Sequence, residues 1–223
     1  MQPTYLPWIG YFSLIKDVDV FIFLNDVQFS SRSWQQRNRI LSQSGPIWLT
    51  VPVHLPNGRP TLIQEAEIVQ DQKFAIKHIK SIKMNYEKSV GYEHIKKHVF
   101  PILEQDFQYI QDLNVSLIKE VCKLLEIETV FKYSSEFDSE GAKGFRLAAI
   151  AKKAGADSYL SPPGSKDYLV DFDGFAKVGI ELKYKEYKLH PYTQRNSEFV
   201  PNLSIIDVIC NLGVSETIRT LNS

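Results

Sequence analysis

Gln2-Pro3-Thr4-Tyr5-Leu6-Pro7-Trp8-Ile9-Gly10-Tyr11 opens the chain, and the reading of this stretch decides how the rest is arranged. Each proline fixes φ and pushes the residue before it toward extended backbone, so Tyr5 to Ile9 reads as a stiff turn. Gly10 admits a close backbone approach. The apolar run from Ile9 to Ile15 predicts a helix ending near Lys16. A rigid loop running into a helix N-terminus can offer free N–H groups to an anion. The other reading is a packed turn with buried aromatics, and these ten residues leave both open.

Working outward, Val18 to Leu24 is rich in β-formers with apolar residues on both faces. That predicts a buried strand, parallel to its neighbour and covered by helices on both sides. Asn25 and Asp26 end it. In open α/β sheets ligands gather at the carboxyl ends of strands, so topology marks Asp26 as a functional candidate. The next stretch, to Ile40, is dense in polar and planar groups, among them Gln28, Arg32, Trp34, Arg37, Asn38 and Arg39. Guanidinium forks pair with carboxylate or phosphate, and indole offers a stacking face. The alternative is a solvated edge strand with outward charges.

Ile47 to Val53 predicts a strand, with Pro52 at its end or edge. Pro56, Asn57, Gly58 and Pro60 predict a turn, and Thr61 to Val69 a strand that closes a hairpin-like excursion. Residues 71–126 read as helical, most clearly at Leu113, Leu117, Val121 and Leu124. His94 and His98 share a helix face, but no third ligand completes a known metal pattern. Strand Ile127–Tyr133, helix Gly144–Ala154 and strand Ala156–Ser161 follow, in the order of a parallel βαβ crossover. The loop after Ser161 carries Gly164, Ser165 and Lys166, small residues with a cation that suit a phosphate, although no Walker pattern is present. Ile180 to Tyr187 predicts a half-exposed strand. His190 follows, with Tyr192, Gln194 and Arg195 close by in sequence, and imidazole suits proton transfer near neutral pH. Ser204 is a good N-cap for a last helix, which gives Asp207 a dipole or capping role in its first turn.

The 223 residues include 26 basic and 26 acidic side chains, so no bulk charge draws nucleic acid or anionic lipid. No apolar run approaches a membrane span, and no basic-then-apolar leader is visible, so a cytoplasmic location is expected. Cys122 and Cys210 lie in periodic apolar segments and suit reduced core thiols. The expected architecture is one α/β domain over 1–223: three layers, a mostly parallel central sheet with flanking helices, and a helical segment near 71–126.

The chain resembles the WbqC-like proteins of bacterial polysaccharide gene clusters over nearly its whole length. The opening motif falls on Gln2, Pro3, Tyr5, Pro7, Gly10 and Tyr11, and the next on Asp26, Gln28, Trp34, Arg37, Asn38 and Ile40. Later matches include Tyr159, Ser161, Gly164, Tyr168, His190, Tyr192, Gln194, Ser204, Asp207 and Gly213. The resemblance implies a role in O-antigen and related lipopolysaccharide synthesis, as a glycine, aminoacyl or acyl transferase acting on a sugar nucleotide. It also implies a few apolar residues, forming a first strand, ahead of Gln2. The Pro162-Pro163 pair departs from a glycine expected in that loop. The arrangement is similar to nucleotide-binding α/β folds that activate acyl groups.

On this reading His190 or Asp26 is the base that deprotonates an attacking amine. Arg32 and Arg37 hold phosphate or carboxylate. Gln2, Tyr5, Tyr11, Gln28, Asn38, Tyr159, Ser161, Gly164, Tyr168, Tyr192 and Gln194 contact the substrate. No metal ligand set is expected; the donor would be an acyl-CoA, an aminoacyl species or a nucleotide. The competing reading is a non-catalytic module that binds a nucleotide or sugar for a partner enzyme. In space, the N-terminal hook, the Asp26–Ile40 segment and the late His-Tyr-Gln segment should converge on one crevice.

Overall fold

The structure, a computed structural model, describes residues 1–70, 73–141, 143–169, 172–195 and 198–222, with backbone alone at 167 and 168. Helix α1 (Ile9–Lys16) follows the Pro-rich turn, and its N-cap, Trp8, is extended. Trp8 folds its ring back over Gly10, where a Cβ would stand 2.1 Å from the indole. Strand β1 (Val20–Phe23) comes next, and then the antiparallel hairpin β2 (Arg37–Ser42) and β3 (Gly45–Thr50). The expected strand Ile47–Val53 is broken at Pro52, which has no N–H to donate, so Val53–His54 forms a separate β4. Of the strand expected over Thr61–Val69, only β5 (Glu67–Ile68) forms, antiparallel to β4. Before it, Ile63 and Gln64 donate their N–H groups to Val27 and Asn25 carbonyls, and Ile63–Glu65 closes into a 3₁₀ turn.

The helical segment comprises α2 (Phe74–Tyr86), α3 (Tyr92–His98), α4 (Phe100–Leu103) and α5 (Ile110–Leu124); residues 71 and 72 lie outside the described residues. It returns the chain to β6 (Val130–Tyr133), which pairs parallel with β1. Phe23 and Phe131 stack across this pair with ring centroids 5.4 Å apart. Such a contact contributes about 0.5–1.5 kcal/mol beyond its area. Helix α6 (Lys143–Lys153) leads to β7 (Ser158–Ser161), and the short helices α7 (Lys166–Leu169) and α8 (Gly174–Lys177) lead to β8 (Glu181–Tyr184). Helices α9 (Ile205–Leu212) and α10 (Val214–Asn222) finish the chain. Ser204 caps α9 as expected, accepting from the Ile206 N–H at 3.3 Å.

The result is a mixed α/β protein with four two-stranded sheets among the described residues, two parallel and two antiparallel. The expected central sheet takes the form of separate pairs. The expected crossover from β6 to β7 is replaced by two others, because β6 is taken by β1 and β7 pairs parallel with β8. A large apolar core joins α1, β1, the hairpin, α2 to α5 and α9, and a smaller one gathers Ala148, Ala151, Leu169, Phe175 and Ile180. Met1 lies beside β1, donating from its nitrogen to Ile22 O and accepting from Leu24 N–H, each at 2.8 Å. Among the described residues, no helix is long and apolar enough to cross a membrane.

Candidate functional site

The Pro-rich turn is held from inside. Tyr5 N–H donates to Trp34 O at 2.8 Å. Asn38, buried on the inner face of β2, donates from Nδ2 to Tyr5 O at 3.2 Å and Leu6 O at 2.7 Å. Leu6 has φ +42°, a left-handed conformation that a leucine rarely adopts, and the Asn38 contact fixes its carbonyl there. Asn114 on α5 reaches across to Gln35 O at 2.8 Å and Pro3 O at 3.3 Å. Gln35 donates to Gln2 Oε1 at 3.0 Å, and Tyr11 OH donates to Gln2 O at 2.9 Å. Tyr5 OH shares a 2.8 Å hydrogen bond with His78 Nδ1. Four expected substrate contacts, Gln2, Tyr5, Tyr11 and Asn38, thus have partners within the protein; Tyr5, Tyr11 and Asn38 are buried and Gln2 is exposed.

At the carboxyl ends of β1 and β6 the chain builds a second network. Asn25 donates to Gln64 Oε1 at 2.9 Å and Ser135 Oγ at 3.0 Å, which ties the two strand exits together. Asp26 accepts from the Ser134 hydroxyl on one oxygen and from Arg146 Nη2 at 2.5 Å on the other. Partial burial pushes the Asp26 carboxyl up. The hydrogen bonds from Arg146 and Ser134, with the Arg146 charge, outweigh burial, so it titrates below its ordinary 3.8. Leu24, Asp26, Gln28, Lys143, Arg146 and Ile150 line a cavity of about 580 Å³ beside this pair. A second cavity, about 470 Å³, lies between β1 and β7 and shares Leu24, Leu147 and Ile150 with the first. Tyr159 lines it and stacks on Phe175 at 4.7 Å.

The late segment goes elsewhere. Asp207, fully buried in α9, accepts from Tyr86 OH at 2.6 Å, Tyr192 OH at 2.7 Å and Gln194 Nε2 at 2.9 Å. Burial pushes the Asp207 carboxyl up; hydrogen bonds from Tyr86, Tyr192, Gln194 and Asn211 pull it down without cancelling that effect. Tyr192 and Gln194 therefore serve a buried carboxylate rather than the cavity beside Asp26. His190 is exposed and lines neither cavity. Ser161 is buried against Ser165, their hydroxyls 2.5 Å apart, and Gly164 has open space around it. The Tyr168 side chain lies outside the described residues. Arg32 is exposed at φ +56°, and the Arg37 guanidinium lies 4.2 Å from the Trp48 ring centroid.

Of the expected site residues, then, Asp26 and Gln28 share the first cavity, Tyr159 lines its neighbour, and the N-terminal hook and late segment form two other networks. Sequence reasoning missed Arg146, Lys143 and the acceptor role of Asp207. Arg146 had one readable signal: it stands four residues before Ile150 on α6, at the margin of the inward stripe. The cleft's volume, about 580 Å³, falls within the usual range of small-molecule pockets. Its wall offers two cations, one fixed carboxylate and the carbonyl oxygen of the Gln28 amide, whose nitrogen donates to Arg59 O at 2.7 Å.

The described residues thus form a mixed α/β protein with a cleft at the carboxyl end of one parallel strand pair. The chain belongs to the WbqC-like protein family, which it matches over residues 2–219. It is 33% identical over 215 residues to "Uncharacterized protein Rv1507c" of Mycobacterium tuberculosis (strain ATCC 25618 / H37Rv), across 96% of this chain and 92% of that protein. No solved structure matches it.

Proposed function

We propose that the protein binds a sugar nucleotide in the cleft beside Asp26 and transfers an acyl or aminoacyl group to it during the synthesis of bacterial surface polysaccharide. The observation that carries this reading is the cavity of about 580 Å³ at the carboxyl end of β1, with Arg146 and Lys143 on its wall. Arg146 and Lys143 bind the phosphates, Gln28 accepts a sugar hydroxyl, and Asp26 fixes the Arg146 fork. The amine of the sugar attacks the acyl carbon, a C–N bond forms, and the bond to the donor's leaving oxygen or sulfur breaks. The amine proton passes to water at the open mouth of the cleft. Asp26, depressed by its ion pair, is a weak base near pH 7, so the rate enhancement on this reading comes from positioning.

That same depression favours a second reading, a non-catalytic module that delivers the sugar nucleotide to a partner. Calorimetry with UDP- and dTDP-linked amino sugars tests binding, and turnover assays with acyl-CoA and aminoacyl donors test transfer. Arg146→Met should weaken binding by at least tenfold with the fold intact. Unchanged affinity in that variant would remove the cleft assignment, whereas binding without turnover would select the second reading.

A further inference from the structure

The outer face of the β2–β3 hairpin carries an aromatic and cationic surface that the cleft does not use. Strand alternation buries Asn38, Ile40 and Leu49 and turns Arg37, Arg39 and Trp48 the other way. Trp34, just before β2, joins them. Its ring centroid is 5.5 Å from that of Trp48, with 38° between the planes. Both rings are about half exposed, at 48% and 46%. The Arg39 guanidinium lies 5.7 Å from the Trp48 centroid and 6.0 Å from that of Trp34. Neither Arg37 nor Arg39 has a carboxylate partner among the described residues, and the buried Nε of each lacks an acceptor.

We infer that this face binds an anionic sugar unit, one bearing a carboxylate or a phosphate. Two residues apart on one strand, the two Cα atoms stand roughly 7 Å from each other, and the guanidiniums lie 4.2 and 5.7 Å from the same Trp48 ring centroid, so one anionic group can engage both. The tryptophans beside them offer a broad apolar surface to the C–H face of a pyranose, which tolerates the tilt between the rings. A nucleic acid fits less well. Single-strand binders need a basic groove that tracks the backbone over several nucleotides, but here two arginines stand on one hairpin face and the chain has no net charge. The inference is independent of the cleft, because none of the four residues lines it.

The test follows the three tryptophan indole N–H signals by ¹H–¹⁵N correlation spectroscopy during titration. Probes are digalacturonate, glucose 1-phosphate, neutral cellobiose and oligothymidylate; Trp34→Phe and Trp48→Phe assign the signals. Trp34 and Trp48 should shift saturably with one or both anionic sugars and Trp8 should not, and the two anionic probes separate carboxylate from phosphate recognition. Arg37→Ala and Arg39→Ala should each weaken binding at least tenfold, with circular dichroism unchanged. Four outcomes would overturn the inference: no shift with either anionic sugar, equal affinity for cellobiose, tighter binding of oligothymidylate, or shifts that track protein concentration without ligand.

Discussion

His78 shows how one buried side chain can set a pH dependence. Its ring packs against Tyr5 and Phe74 and bonds the Tyr5 hydroxyl. Burial lowers its pKa from 6.5 to about 4; a hydrogen bond with the Thr50 backbone pulls upward and the Lys77 charge adds to the lowering. Between those two values the unfolded chain binds a proton that the folded chain refuses, so stability falls as pH drops from about 6.5 to about 4. The shift corresponds to roughly 3 kcal/mol. Urea melts at pH 7 and pH 4.5 should show most of that loss in the wild type and little of it in His78→Gln. Asp207 makes a different case. Removing its carboxylate in Asp207→Ala takes the acceptor from the buried Tyr86 and Tyr192 hydroxyls, while Gln194 keeps the Val200 carbonyl. With two buried hydroxyls left unsatisfied, the expected loss is about 2–4 kcal/mol by urea unfolding, with the far-UV spectrum retained at low denaturant. Sequence marked Asp207 for its place in a helix's first turn. It could not show that residues 15 and 121 positions away supply the hydrogen bonds. Asp26 was legible from the strand that precedes it, but its partner Arg146 lies 120 residues away and only folding brings the two together.

Elements were more legible than their pairings, because a helix or strand declares itself over a few neighbouring residues whereas a sheet depends on distant ones. The run Ile9–Lys16, the amphipathic stripe of α5 and the Ser204 cap all have local causes. The split at Pro52 was half visible, as a residue suited to a strand end. The 3₁₀ turn at Ile63–Glu65 was not, since its N–H groups are captured by carbonyls some 36 to 39 positions earlier. Gly91 decides how α3 meets α9. Its N–H donates to Cys210 O at 3.0 Å, and a Cβ would stand 1.9 Å from Ile209 O and 2.8 Å from Ile209 C. Those are backbone atoms of a buried helix and cannot swing aside. Gly91→Ala should therefore cost about 1–3 kcal/mol, seen as a lower urea midpoint at unchanged slope.

For the molecule as a whole, the expected parallel sheet and the observed strand pairs can be joined through the cavity between β1 and β7. Hydrogen bonding alternates along a strand. Val130 N–H takes Asp19 O on the β6 side, so the groups of Val20 and Ile22 face the other way. On that edge Met1 engages Ile22 O and Leu24 N–H. On β7, Glu181 and Lys185 bond Asp157 O and Ser161 O, which turns Ser158 and Leu160 away from β8. Val20, Ile22, Ser158 and Leu160 all line the same cavity of about 470 Å³, with Leu147, Ile150 and Ala151 of α6 on its wall. Strand edges turned toward a cavity lined with apolar side chains, one of them already engaged by Met1 alone, form a template for one more strand. Fusing about six alternating valines and isoleucines ahead of Met1 should place an extended segment alongside β1 and link the two parallel pairs into five strands. Apolar burial of this size is worth several kcal/mol at about 25 cal/mol per Å², or at least ~5 °C in Tm for a chain of this length. The amides of Val20, Ile22 and Leu160 should gain protection from hydrogen exchange, while the same segment fused after residue 223 should change neither quantity. An unchanged Tm with the N-terminal fusion, or an equal rise with the C-terminal one, would show that this cavity does not accept a strand.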